Sequence, residues 1–230
     1  NISKHPCFSN NIPCIISNMS LDTIEELTNN PNFKNQPSHK TLDLIATIKG
    51  PIVEVGGTTH KLIDPELLPH KPITTDRKKW GEESIDLITD GKALPFVDKS
   101  IPMIMADHIS LADLIEYESY IHSEDPATTP QERQGDIKEF AKKDYRLFLE
   151  NPDSEIKYNL RINIMREINR VVEPGGIVAF GALNDLDMQV AETLGWSTIE
   201  IIGEQHIAGG RTHYDVVFQK PTDSTNPYYS

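Results

Sequence analysis

The 230 residues carry 35 Asp and Glu against 22 Lys and Arg, a formal net charge of −13, and are 37% hydrophobic and 25% charged. That length suits one large α/β domain with an insertion or extension, and the composition excludes the disordered and fibrous classes. The negative field repels phosphate backbones, so nucleic acid is not the expected partner, and no stretch reaches the ~20 apolar residues of a membrane span.

Residues 1–50 read as an arm: Pro6, Pro13, Pro31 and Pro37 lie among many Asn and Ser. Within it a short helix is expected at Leu21–Leu27, with Ser20 as N-cap, and a second at Lys40–Ile48, stopped by Gly50-Pro51. Cys7 and Cys14 are the only cysteines, too few for a disulfide framework or a four-cysteine zinc site, and reduced thiols are expected. The cytoplasm is the expected compartment, with a removed export signal left open because the first residue is Asn1.

Ile52-Val53-Glu54-Val55 is a short β-branched run halted by Gly56-Gly57, the profile of a buried parallel strand entering a tight turn. Strands are also expected at Pro72–Thr75, Ile85–Thr89, Met103–Ala106, Gly176–Ala182, Ser197–Ile202 and Tyr214–Gln219. The β–α alternation implies a mostly parallel sheet covered on both faces. The last two strands, joined by Gly203–Arg211, suggest an antiparallel hairpin at one edge.

About 70 residues separate the fourth and fifth strands, far more than one crossover needs, so a helical insertion is expected at about 113–158. It holds twelve acidic and six basic side chains. Helical periodicity marks Ile137–Leu149 and Ile156–Val172, after a loop at Ser123–Pro130. In the insertion, Tyr117, Tyr120, Tyr145 and Phe148 read as core at helical spacing, with a pocket wall as the sharper alternative. The sheet domain spans 51–220 and a frayed tail 221–230. His60, His70, His108, His206 and His213 show no metal-like spacing, and no metal site is expected.

Chemistry is expected where Gly56-Gly57 ends the first strand and Asp76 stands 20 residues after Gly56. In a doubly wound sheet the first turn comes nearest to a bound nucleoside, and a carboxylate about 20 residues on can accept from ribose hydroxyls. Downstream lie Asp90-Gly91-Lys92-Ala93-Leu94-Pro95-Phe96 and Glu167-Ile168-Asn169-Arg170-Val171-Val172-Glu173-Pro174-Gly175-Gly176. With Glu54-Val55-Gly56-Gly57 these stretches make the chain resemble the class I S-adenosylmethionine-dependent methyltransferases, particularly the type 11 group.

The resemblance implies a Rossmann-like seven-stranded sheet, mostly parallel with an antiparallel edge strand, and S-adenosylmethionine as cofactor. Glu54, Gly56 and Gly57 would line its methionine moiety; Asp76 would hold the ribose; Asp90 and Gly91 would face the adenine. Asp107 and His108, just past the fourth strand, would face the methyl acceptor, with His108 suited to act as a general base. The expected acceptor is a small molecule, or a basic peptide or protein drawn by the acidic charge; the oligomeric state is left open. Thr58 and His60 stand where the family places its second and third glycines, and bulk there narrows the pocket. The alternative is a catalytically inactive relative that keeps the fold for binding protein.

Overall fold

All four residues of the first strand, β1 (Ile52–Val55), are buried, and all but Glu54 are apolar. The computed structural model describes residues 36–56, 62–77, 85–106, 130–207 and 211–222. The helix expected at Leu21–Leu27, both cysteines, Tyr117, Tyr120, Gly57, Thr58, His60, Asp107, His108 and most of the Ser123–Pro130 loop lie outside the described residues.

The remaining strands are β2 (Ile73–Asp76), β3 (Leu87–Ile88), β4 (Ile101–Ala106), β5 (Val172–Leu183), β6 (Ser197–Ile207) and β7 (Arg211–Gln219). They form one seven-stranded sheet in the order β3-β2-β1-β4-β5-β7-β6. β1 pairs in parallel with β2 and β4, β2 with β3, and β4 with β5, while β7 runs antiparallel to both β5 and β6. The expected hairpin therefore occupies one edge, with β7 inside and β6 outermost.

Among the described residues four helices clothe this sheet: α1 (His39–Ala46), α2 (Pro130–Glu150), α3 (Leu160–Val171) and α4 (Asp185–Thr193). Val53, Val55, Ile104, Val178, Phe180 and Phe218 point to one face and pack with Tyr145 and Phe148 of α2, Met165 and Ile168 of α3, and Val190 of α4. Tyr145 and Phe148 are thus core. Ile52, Met103, Met105 and Ala179 point to the other face, against Leu42 and Ile45 of α1 and Ile63 and Leu67. Among the described residues no helix is long and apolar enough to cross a membrane.

Side-chain capping sets the helix starts. Asn159 accepts the Ile162 N–H at 3.1 Å to begin α3, and Asn184 with Asp187 makes a reciprocal capping box on α4. α1 is started from a distance: the Glu200 carboxylate on β6 accepts from the Ser38 N–H, the Ser38 hydroxyl and the Thr41 hydroxyl, at 3.0, 2.9 and 2.5 Å. An anion at a helix N-terminus also meets the positive end of the helix dipole.

Several element bounds differ from the sequence expectation. α2 starts at Pro130 rather than Ile137, because proline fits the first helical turn, where its missing N–H costs nothing. β5 starts at Val172 rather than Gly176; Val172 pairs with Ile101 and the ladder resumes at Ile177 after an irregularity that absorbs Pro174-Gly175. β3 shrinks to two residues, and the hairpin strands run on to Ile207 and back from Arg211.

Candidate functional site

From β1 the chain passes to β2 and β3 on one side, then crosses to β4 on the other. The order reverses between β1 and β4, and in open α/β sheets ligands bind beyond the carboxyl ends of the strands at such a reversal. Val55 pairs with Ala106 of β4, and Ala106 with Phe180 of β5, so β1 and β4 end level there while β5 runs on to Leu183.

Gly56 leaves β1 with φ of 101°, in the region that excludes side chains on steric grounds, and its N–H donates to the Thr75 carbonyl at 3.0 Å. Because Val55 faces Thr75, the next step of the register sets Asp76 beside Gly56. Two residues far apart in sequence thus become neighbours one strand spacing, about 4.8 Å, apart. The Asp76 carbonyl accepts the Thr89 N–H at 2.8 Å, which carries β3 into the Asp90 turn.

Glu54 is 2% exposed and receives the Thr74 hydroxyl at 3.4 Å from the adjoining strand, while the Thr75 hydroxyl donates to the Glu54 carbonyl at 3.1 Å. Asp90 folds its turn onto itself: one carboxylate oxygen accepts the Lys92 N–H at 2.9 Å and the other lies 3.8 Å from the Lys92 ammonium. Asp90 is therefore at least a turn cap, and its carboxylate is 46% exposed beside the sheet rim. A Cβ on Gly91 would meet Ile164 of α3 and Val55 of β1 at 3.3 Å, so the missing side chain here serves packing.

The two downstream motifs meet each other. Glu167 accepts the Leu94 N–H at 2.7 Å and both arms of the Arg170 guanidinium at 2.6 and 2.8 Å. Arg170 also donates to the Leu94 and Phe96 carbonyls at 3.0 and 3.1 Å, and pairs with Asp98. These carboxylates push the Arg170 guanidinium above its ordinary range. The Glu-x-x-Arg of α3 thus fastens the loop that follows Asp90. Beyond it, Gly175 has φ of 79°, and a Cβ on Gly176 would strike Val172 at 2.7 Å and the Pro102 carbonyl at 3.0 Å.

Sequence reading missed a buried polar cluster at the carboxyl end of β5. Asp187 is fully buried; its carboxylate pairs with Arg161, itself 1% exposed, accepts the Tyr145 hydroxyl, and accepts the Asn184 N–H at 2.8 Å. Burial, and then the Asp187 charge, push the Tyr145 hydroxyl well above the usual tyrosine range. Arg161 also donates to the Ala182 carbonyl at 3.1 Å. The one sequence signal was the cap Asn184-Asp185-Leu186-Asp187; nothing local announces that Arg161 and Tyr145 converge on it.

The structure thus brings Gly56 and Asp76 side by side, with Glu54 beneath and the Asp90–Gly91 turn beyond. Gly57, Asp107 and His108 lie outside the described residues.

No family model matches the chain, nor does any curated protein. Among solved structures it is similar to a provisionally assigned DNA modification methylase from Thermus thermophilus, at 16% identity and a TM-score of 0.32, over 58% of this chain and 52% of that one. A selenomethionine derivative of that protein gives 16% identity and a TM-score of 0.29, over 55% and 47%. The chain spans about half the length of the structures it matches, and an overlap of this size decides no activity.

Proposed function

We propose that the chain is an S-adenosylmethionine-dependent methyltransferase of class I, type 11-like, acting on a small-molecule acceptor or a basic peptide. One observation carries the reading: at the reversal between β1 and β4, the side-chain-free turn at Gly56 lies in register beside Asp76. Backbone can approach a ligand closely at the first, and a hydroxyl pair can be gripped at the second.

The chemistry of the donor set fits the cofactor. Glu54, Asp76 and Asp90 offer acceptors only, which suit ribose hydroxyls, an exocyclic amine and the positive charges of a sulfonium and an ammonium. A polyphosphate would meet repulsion there. When bound, the cofactor supplies an electrophilic methyl group on sulfur. Asp76 would orient the ribose, Asp90 and the Gly91 backbone the adenine, and Glu54 with Gly56 and Gly57 the methionine end. Asp107 and His108 would face the acceptor, His108 taking a proton where the nucleophile carries one. Transfer requires little else beyond alignment of acceptor and methyl.

The test is calorimetric titration with S-adenosylhomocysteine. Wild-type protein should bind, and Asp76→Ala should lose roughly 1–3 kcal/mol, about 5–150-fold in Kd, through unpaired ribose hydroxyls. No heat and no thermal stabilisation at millimolar ligand would remove the cofactor and favour a binding protein built on an enzyme scaffold.

A further inference from the structure

The corner at the carboxyl end of β5 is built more rigidly than a strand end requires. Phe180 pairs with Val216 and Leu183 with Tyr214 on β7. Gly181 and Ala182 therefore stand opposite Asp215 alone, the two-against-one count of a β-bulge. Ala182 takes φ of 55°, left-handed for a residue with a Cβ, one of two such non-glycine positions among the described residues. Strain of this kind persists only where the surroundings over-determine it.

Here two charged side chains hold the same residue from opposite sides. The Asp215 carboxylate accepts the Ala182 N–H at 2.9 Å, and the Arg161 guanidinium donates to the Ala182 carbonyl at 3.1 Å. Arg161 is fixed in turn by Asp187, and Asp187 by Tyr145 and the start of α4. Helices α2, α3 and α4 and strand β7 all contribute to holding this one residue through the two peptide units that flank it.

The corner also lies at the right place. Ala106 ends β4 level with Phe180, so Gly181 and Ala182 rise one and two residues above the β4 end. They stand two strand spacings from β1, about 10 Å across the rim from Gly56. Bulges gather beside active sites because they re-aim the chain there.

We propose that the Gly181–Ala182 corner forms the wall of the site facing the transferred methyl, and that Asp215 and Arg161 are positioning residues holding that wall. The inference rests on the cofactor reading above and extends it to the acceptor side. Methyl transfer tolerates little misalignment, which gives a rigid wall its purpose.

S-adenosylmethionine and S-adenosylhomocysteine differ only in the sulfonium methyl and its charge, so comparing them isolates the methyl's surroundings. In ¹⁵N-labelled protein, both ligands should shift the amides of Asp76 and Gly91 alike, whereas the amides of Gly181 and Ala182 should differ between the two complexes. Asp215→Ala should abolish that difference and Asp215→Asn, which keeps an acceptor oxygen, should restore it, with ligand shifts at Asp76 unchanged in both. Identical Gly181 and Ala182 shifts in the two wild-type complexes would overturn the corner's role while leaving the cofactor reading intact. Absence of shifts at Gly56 and Asp76 with either ligand would overturn that reading, and this inference with it.

Discussion

Asp187→Ala is the substitution expected to damage the fold most. It removes a carboxylate with no solvent exposure and leaves a guanidinium that is 1% exposed without its counter-charge. It also strips the Tyr145 hydroxyl and the Asn184 N–H of their acceptor. Breaking a buried ion pair from one side costs about 3–5 kcal/mol, chiefly because the remaining charge stays buried. Against a total stability of roughly 5–15 kcal/mol this is about a fifth of the whole or more. Urea unfolding followed by circular dichroism at pH 7 should show the midpoint falling accordingly. The sign of the argument is checked by Arg161→Met in the same background. Because the penalty lies in a buried charge that has lost the Asp187 carboxylate, Arg161→Met/Asp187→Ala should be more stable than Asp187→Ala alone. A single variant within about 1 kcal/mol of wild type, or a double variant no better than the single, would refute the reasoning.

Three further outcomes follow from the same geometry. Glu200→Ala should cost about 1–2 kcal/mol by uncapping α1, with Glu200→Gln losing less; equal midpoints for wild type and Glu200→Ala in thermal melts would contradict the anchor. Gly176→Ala should destabilise by roughly 1–3 kcal/mol, since its Cβ lands on Val172 and on backbone carbonyls that cannot yield; a neutral melt would show that β5 shifts freely. Burial, with Lys99 nearby, lowers the Lys220 ammonium to about 8, although it donates to the Asn169 and Val172 carbonyls at 2.6 and 2.8 Å. The unfolded chain therefore binds more protons than the native one above about pH 8, and stability should rise between about pH 8 and about pH 10 relative to Lys220→Met. A flat difference between the two proteins across that window would mean that the carbonyls offset the burial.

The sheet was readable because β1 is a short β-branched run closed by glycine, because β4 is an apolar run, and because helical and extended periods alternate. What stayed hidden depended on distance in the chain. Asp187 sits 42 residues from Tyr145 and 26 from Arg161; on its own helix Arg161 looks like an ordinary surface side chain, and Tyr145 like core with nothing to name its partner. Glu200 looks like a solvated strand residue until β6 is placed beside Ser38. Polar residues such as His206 and Thr212 also concealed the full length of the hairpin, since cross-strand pairing at the sheet's edge does not require apolar side chains.

The motifs that carry the family resemblance were readable for a different reason than the one that gives them meaning. Glu167, Arg170 and the Leu94–Phe96 loop are bound to one another, and Gly176 is a steric necessity of the β4–β5 contact. Their contacts fix where the Asp90 turn stands. The residues proposed to meet the cofactor, Glu54, Gly56 and Asp76, form a sparser pattern that many sheets could share, and they are brought together by the register of β1 on β2. Sequence similarity in this chain therefore reports the frame that holds the rim. Ligand titration at Asp76, and the comparison of methylated with demethylated cofactor at Ala182, probe the rim itself, where the frame's purpose is decided.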